Sequence, residues 1–239
     1  MKNGIKFPAI GLEHPMVKRV LEIAKEILSK NKVLDIESLY NLAKRRLKIP
    51  RKGLLSIIQL LINKKILVEG SKFVRDNVLS NFYRKNIYNY IKKNGAVHFS
   101  LIKKNVISDT KGNYGSSGQL IWHLEMLLKF KFIKKIKIGN YTVFMPVNFE
   151  SDMGIIIFIM QDDINKKILL LLKDQGLIKK SDVYKEINEK RENVYYRINN
   201  LIENDVIHTK EKENLIFINP KKIDIISIIL HNKNYIENN

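Results

Sequence analysis

Cysteine is absent from the 239-residue sequence. The lack of thiols excludes disulfides, cysteine-based zinc sites and thiol nucleophiles, and is common in a reducing compartment. Long apolar runs are also lacking: the uncharged run Met153–Met160 is far shorter than the roughly 20 residues of a membrane-spanning helix. The first 13 residues have no apolar segment typical of a signal peptide. We therefore expect a soluble cytoplasmic protein without membrane insertion.

Acidic residues are scarce in the first two thirds of the chain. Residues 1–78 contain 17 Lys and Arg against 7 Asp and Glu, and residues 79–150 contain 12 against 3. Residues 151–239 are balanced, at 14 against 14. A low-GC genome could enrich lysine throughout, but it would not leave one third neutral. The distribution favours a polyanionic partner, such as nucleic acid, for the first two thirds.

Patterns for catalysis or metal binding are missing as well. The five histidines show no two-histidine-plus-carboxylate spacing, and there is no His-Glu-x-x-His. The glycine-containing loop Ser108–Gly115 precedes a helix, but it lacks the Gly-Lys-Ser/Thr ending of a nucleotide-binding loop. We expect no enzymatic activity, no cofactor and no metal.

The most informative stretch runs from Gly115 to Pro146. Ser116 and Ser117 are suitable helix caps, and apolar residues follow at the spacing of one helical face. After Lys129 the apolar period changes to two around Gly139-Asn140, which predicts two short antiparallel strands. A capped helix followed by a hairpin is the second half of a winged helix-turn-helix, in which the helix can enter the major groove of DNA.

This pattern occurs three times in register. The helices share apolar positions, and each is followed by a possible first wing strand at Ile66-Leu67, Phe132-Ile133 or Val206-Ile207. The matched positions are Leu54, Leu120 and Val194, then Ile58, Leu124 and Ile198, then Leu61, Leu127 and Leu201. Copies 66 and 74 residues apart predict three small consecutive domains.

The expected fold is mainly α with small β-hairpin wings (α+β), in three consecutive winged-helix modules. We place a loose arm at 1–14, a degenerate basic module at 15–78, a basic module at 79–148, a neutral module at 149–220 and an apolar C-terminal helix at 221–239. Residues 76–93 are expected to form one linking helix. Ser100 is expected to cap the helix Leu101–Val106.

The run Ser-Ser-Gly-Gln-Leu-Ile-Trp-His-Leu-Glu-Met-Leu from Ser116 on, with Gly139-Asn140-Tyr141 and Phe144-Met145-Pro146, resembles archaeal tandem winged-helix regulators of the broad ArsR/MarR type. The resemblance covers about residues 80–220. It implies sequence-directed DNA binding by the helix that begins near Ser117. Asn140 stands where the wing of these proteins usually has arginine.

The candidate contacts with double-stranded DNA are side chains that can reach base edges or phosphates. They are Ser117, Gln119, Trp122, His123 and Lys129 on the second reading helix, Lys134, Lys135 and Lys137 on its wing, Arg45, Arg46, Arg51 and Lys52 in the first module, and Arg191, Asn193 and Arg197 in the third. His123 and Trp122 could instead be packing residues, and each lysine cluster could be a solvated face.

A scaffold role is the competing function. Tandem winged helices also serve as protein-binding subunits in membrane-remodelling complexes and beside RNA polymerase, and the neutral third module suits such a role. The very apolar segment Ile223–Leu230 either packs back on Ile155–Ile159 or pairs with a second chain. We expect a homodimer through this helix, in a transcription regulator associated with the nucleoid.

Overall fold

The first helices form where sequence signals place them. The computed structural model describes residues 11–30, 32–107 and 116–231. Pro15 occupies the first turn of helix α1, the Asp35 carboxylate caps α2 by accepting the Ser38 amide at 2.7 Å, and Pro50 precedes α3. The bounds are α1 Pro15–Ser29, α2 Ile36–Leu47 and α3 Arg51–Asn63. Residues 1–10 of the expected arm, the loop Ser108–Gly115 and residues 232–239 of the expected last helix lie outside the described residues.

The described part of the chain divides into two compact units. One contains the residues up to Lys85 together with Leu124–Lys131, and the other contains Asn86–His123 and the residues from Phe132 on. Helices α1 to α3 build the core of the first unit around fully buried side chains. These include Val20, Ala24, Leu39, Leu54 and Leu61.

The first wing strand expected at Ile66-Leu67 is wrong. Lys65 adopts a left-handed conformation with φ of 55°, and the amides of Ile66 and Leu67 both donate to the carbonyl of Leu61. The chain therefore turns back onto the last turn of α3 instead of extending. Further on, Leu34 exchanges two backbone hydrogen bonds with Gly70 and Ser71, but no strand forms among described residues 32–78.

The single helix expected over residues 76–93 is also wrong. The structure has a short α4 at Arg75–Val78 and a separate α5 at Phe82–Asn94. Asn81 interrupts the two, because its side-chain oxygen accepts the Arg84 amide at 3.1 Å and so caps α5. The Arg84 guanidinium then donates to the Val78 carbonyl at 2.6 Å, which satisfies the end of α4.

The second helix-and-hairpin pattern is confirmed. Strands β2 (Ile133–Ile138) and β3 (Tyr141–Pro146) pair antiparallel and turn at Gly139-Asn140, with Gly139 at a φ of 52°. A short β1 (Val97–His98) pairs with the other edge of β3, which gives the order β1-β3-β2. Helix α6 spans Phe99–Ile102, a π-helical turn spans Lys103–Ile107, and α7 spans Ser117–Lys129. His98 precedes α6, so the expected Ser100 cap is wrong.

The last third repeats the arrangement of helices and a three-stranded sheet. The third copy of the helix-and-hairpin pattern is present: its helix spans Arg191–Glu203 (α11), and β5 and β6 pair antiparallel after it. The sheet has the order β4-β6-β5. The elements are α8 Ser151–Ile159, α9 Asp163–Gln175, β4 Ile178–Lys179, α10 Val183–Glu186, α11 Arg191–Glu203, β5 Ile207–Lys210, β6 Leu215–Ile218 and α12 Ile223–His231.

Helix α8 covers one face of the β2–β3 hairpin. Ile138, Val143 and Met145 of the hairpin are buried in one cluster with Ile157 of α8. Gly154 provides the close approach, since a Cβ on it would lie 2.6 Å from the Met145 sulfur. Helix α8 is therefore a packing element of the hairpin.

Helix α12 packs on its own chain. Ile226 is completely buried in the same cluster as Ile156 of α8, while Ile223 and Ile228 keep 43% and 39% of their surface exposed. Just before the helix, the buried Lys222 donates to the Asn204 carbonyl at 3.3 Å. Packing back on α8 was one of the two alternatives for this apolar segment. The division into three winged helices stays a prediction. None of the helices in the described ranges has the length and apolarity needed to cross a membrane.

Candidate nucleic-acid interface

The start of α7 is fixed by a serine cap. The Ser116 hydroxyl accepts the Gln119 amide at 3.0 Å, as the sequence predicts. Leu120 and Leu124 are buried, so the opposite side of the first two turns faces outward. Ser117 and Gln119, both candidate contacts, are exposed there. The helix thus presents polar side chains at the end that usually reaches base edges in a helix-turn-helix.

Lys103, which is not among the candidate contacts from the sequence, also lies beside the start of α7. It lies on the π-helical turn before α7, and its ammonium group donates to the Ser117 hydroxyl at 2.8 Å. The next residue, Lys104, is exposed. The signal in the sequence is the pair of adjacent lysines before the second helix of the motif, because the first helix of a helix-turn-helix crosses the DNA backbone.

Trp122 and His123 take opposite roles. Trp122 is 49% exposed, while His123 is only 3% exposed and packs inside the fold. Packing was the alternative for His123, and its DNA contact stays a prediction. The two rings meet edge-to-face, with centroids 5.0 Å apart. Ile121 was not among the expected contacts, but it is 51% exposed next to Trp122. His123 faces inward because it follows the buried Leu120 by three positions and so lies on the same face of the helix.

The three lysines of the wing do not share one face. Successive side chains of a strand alternate, so Lys135 and Lys137 lie on one face of β2 and Lys134 on the other. Lys134 is paired in register with the buried Met145, on the face covered by α8, and is half-buried. Lys135 and Lys137 are exposed, and Lys137 donates to the Asn140 carbonyl at the turn at 2.9 Å.

An aromatic cluster lies beside the same turn. The rings of Tyr141 and Phe158 are 5.6 Å apart, and that of His98 lies 5.2 Å from Tyr141 and 6.1 Å from Phe158. Tyr141 remains 53% exposed. Burial lowers the pKa of His98 from its ordinary value of 6.5, which favours the neutral imidazole. The contact holds the wing against α8.

The arginine in the middle of helix α11 binds a carboxylate of the same chain. Arg197, expected to read bases, forms two parallel hydrogen bonds with the Asp162 carboxylate. Its side chain is 23% exposed. In this structure the Arg197 guanidinium is thus engaged by a carboxylate of its own chain, and the base contact expected of it stays a prediction. Arg191 and Asn193 are exposed at the start of the helix, and Arg191 lies over the ring of Tyr195.

The first compact unit also uses an arginine within its own fold. Arg46 donates to both carboxylate oxygens of Glu26. The hydrogen bonds from Arg46, and then that from Lys30, lower the pKa of the Glu26 carboxyl to about 2. Arg45 is exposed and donates to the Asn41 carbonyl at 3.3 Å. Arg51 and Lys52 are exposed on the first turn of α3, and Lys129 is exposed at the end of α7.

Groups of three or more histidine, aspartate or glutamate side chains that could hold a metal ion are absent from residues 11–30, 32–107 and 116–231. The candidate surface consists instead of the capped start of α7 with Lys103 bonded to it, the exposed lysines of the wing, and exposed apolar side chains of α7. Such a surface can bind an anionic polymer through lysines and contact its bases through α7.

No protein-family model matches the chain. Among curated proteins, the chain is similar to an uncharacterised HTH-type transcriptional regulator of the archaeon Methanocaldococcus jannaschii, with 28% identity over 169 residues. The match covers 70% of this chain and 41% of that protein. The chain therefore spans less than half the length of this relative.

Proposed function

We propose that the chain is a DNA-binding transcription regulator in which α7 enters the major groove and the β2–β3 wing contacts the backbone. The observation that carries the proposal is the exposed first half of α7, capped by Ser116, with Lys103 bonded to Ser117 beside it. The similarity to an archaeal protein named as an HTH-type regulator supports the same function. Cytoplasmic location at the nucleoid follows from this proposal.

The charge distribution supports an electrostatic contribution to affinity. The excess of 19 positive charges is contained in residues 1–150, whereas residues 151–239 are neutral. Lysines on a surface that faces DNA release condensed counterions when they neutralise phosphates. Lys104, Lys135 and Lys137 are exposed and suit such contacts. We assign Arg45, Arg51 and Lys52 to backbone contacts of the first module, by the same reasoning.

The third module takes a structural role in this proposal. Arg197 is held by Asp162, Lys167 pairs with Glu189 at 2.7 Å, and Lys180 donates to Asn199 at 2.9 Å. These cations are engaged within the module and offer little charge to a phosphate. Through α8 the module instead covers one face of the wing, which fixes the direction of β2 and β3.

The test is the salt dependence of binding to a labelled duplex, measured by fluorescence anisotropy. Neutralising about five to eight phosphates should give a slope of about −5 to −7 in a plot of log affinity against log salt concentration. Single-stranded DNA of the same sequence is the control and should give a shallower slope. A flat dependence between low and physiological salt would refute the proposal.

A scaffold function is the second candidate, because half-exposed Ile121 and Trp122 also suit a protein partner. It predicts no salt-dependent DNA binding in the assay above. Pairing of two chains through α12 also stays a prediction, with exposed Ile223 and Ile228 as its available apolar surface. Sedimentation of the variant Ile223→Ser/Ile228→Ser tests it: an unchanged number of chains per particle would rule out that role for these residues.

A further inference from the structure

The first two turns of α7 carry no cation. From Ser117 to His123, the exposed side chains are Ser117, Gln119, Ile121 and Trp122, with Gly118 between them. Arginine and lysine make the commonest specific contact with guanine, through its O6 and N7 atoms. The base-reading end of this helix therefore lacks the side chains that select G·C pairs most strongly.

Gln119 is the side chain of this set best suited to a base. Its backbone amide is already bound by the Ser116 cap, so the position of its side chain at the helix start is fixed. The Ser117 hydroxyl accepts the Lys103 ammonium at 2.8 Å and is partly occupied. A glutamine amide can form two hydrogen bonds with N6 and N7 of adenine in the major groove.

Ile121 and Trp122 supply an apolar surface next to Gln119. Each keeps about half of its area exposed, at 51% and 49%. The indole ring also makes an edge-to-face contact with the buried His123, at 5.0 Å between ring centroids. The thymine C5-methyl is the one apolar group that an unmodified base pair offers in the major groove.

We propose that the first two turns of α7 read A·T base pairs, with Gln119 on adenine and the Ile121–Trp122 surface on the thymine methyl group. The inference rests on the proposed DNA-binding function and adds its sequence class. Lys103, on the turn before the helix, places positive charge beside Ser117, and Lys104 next to it is exposed. Lys135 and Lys137 are exposed on the wing. This setting fits a polyanion that carries methyl groups better than an apolar protein surface.

The experiment begins with selection of bound duplexes from a random pool by the full chain. The selected pool should be enriched in A·T steps. In the best selected site, replacing thymine by uracil removes the methyl group and keeps the hydrogen bonds, and replacing adenine by 7-deaza-adenine removes N7. Uracil should weaken binding of the unchanged protein several-fold. 7-Deaza-adenine removes one of the two hydrogen bonds to Gln119 and should weaken binding roughly 2- to 10-fold.

Variants assign each effect to its residue. Trp122→Ala should bind thymine and uracil sites alike, and Gln119→Ala should be insensitive to 7-deaza-adenine. Tyr196→Ala on α11 is the matched control, since it removes another exposed aromatic ring, 65% exposed, and should keep both sensitivities. The base-analogue comparison with the unchanged protein depends on no variant's folding.

The outcomes separate the two proposals. Salt-dependent binding with no preference between A·T-rich and G·C-rich duplexes would overturn the base reading and leave DNA binding standing. Absence of duplex binding at low salt would overturn both. The assignment would also be overturned if Trp122→Ala still preferred thymine over uracil and Gln119→Ala still preferred A·T pairs. The exposed face of α7 would then be assigned to a protein partner.

Discussion

Arg197 binds the carboxylate of Asp162 through two parallel hydrogen bonds, Nε to Oδ1 at 3.0 Å and Nη2 to Oδ2 at 2.9 Å. The same carboxylate caps α9 by accepting the Asn165 amide at 3.0 Å. The Asp162 side chain thus caps α9 and also links α11 to it through Arg197. Burial acts to raise the pKa of Asp162, but the hydrogen bonds from Arg197 and the backbone outweigh it and hold the pKa below 3.8.

We expect Arg197→Ala to destabilise the fold by about 1–3 kcal/mol, because a charge-assisted fork is lost and a partly buried carboxylate is left without it. Urea denaturation of Arg197→Ala, Asp162→Asn and the double variant measures this. The double variant should lose less free energy of unfolding than the sum of the two single variants, since each single change breaks the same interaction. Strict additivity would show that the pair does not couple α9 to α11. DNA affinity of the folded variant should be unchanged.

The free energy of unfolding should depend on pH because His98 is partly buried. Because the folded state lowers its pKa below 6.5, the unfolded chain takes up the proton first as pH falls. The contribution of neutral His98 to stability is therefore present above about pH 6.5 and decreases as pH falls through 6.5 toward the lower folded pKa. The variant His98→Phe keeps a ring beside Tyr141 and Phe158 and should lose this decrease.

The measurement for His98 is the free energy of unfolding of both proteins between pH 5 and 8. The difference between them should change with pH in that window. Tyr141→Phe is the control, because it retains His98 and should follow the pH dependence of the unchanged protein. Identical pH profiles for His98→Phe and the unchanged chain would contradict the prediction.

Gly154→Ala should reverse the usual effect of this substitution in a helix. Alanine normally stabilises a helix interior by about 0.5–1 kcal/mol relative to glycine. Here the new methyl group meets the sulfur of the buried Met145 at 2.6 Å, so we expect destabilisation by about 1–3 kcal/mol from overpacking. Gly118→Ala on α7 is the matched control, because its nearest neighbour is the Ser116 hydroxyl at 3.9 Å. Stabilisation of both variants in thermal denaturation would contradict the close packing of α8 on the wing.

The wing lysines should differ in their effect on DNA binding. Lys135→Ala and Lys137→Ala should each reduce the salt slope by about 1, because each removes one phosphate contact and weakens binding to all sequences alike. Lys134→Ala should reduce it less, since Lys134 lies on the face covered by α8. Anisotropy titrations at several salt concentrations measure the slopes. Lys179→Ala, an exposed lysine on β4, is the control, and an equal slope change there would refute wing-specific contacts.

The sequence predicted the local elements well where a single short-range interaction fixes them. Asp35 and Ser116 cap their helices through amides three residues ahead, and Gly139 supplies the positive φ of the hairpin. These interactions depend on neighbouring residues alone, so composition and spacing reveal them. The break between α4 and α5 also arises from a neighbouring residue, the Asn81 cap, but the apolar period continues across Asn81 and so predicts one continuous helix.

Much of the candidate site depended on long-range packing instead. The sequence determined that residues 115–146 form a capped helix and a hairpin, and that positive charge is concentrated in residues 1–150. Only the tertiary structure decided that His123 faces inward, that Asp162 occupies Arg197 and that α8 covers the Lys134 face of the wing. Periodicity shows which residues share a face, but the partner of each face comes from residues distant in the chain. That partner decides whether a charged side chain is available to DNA.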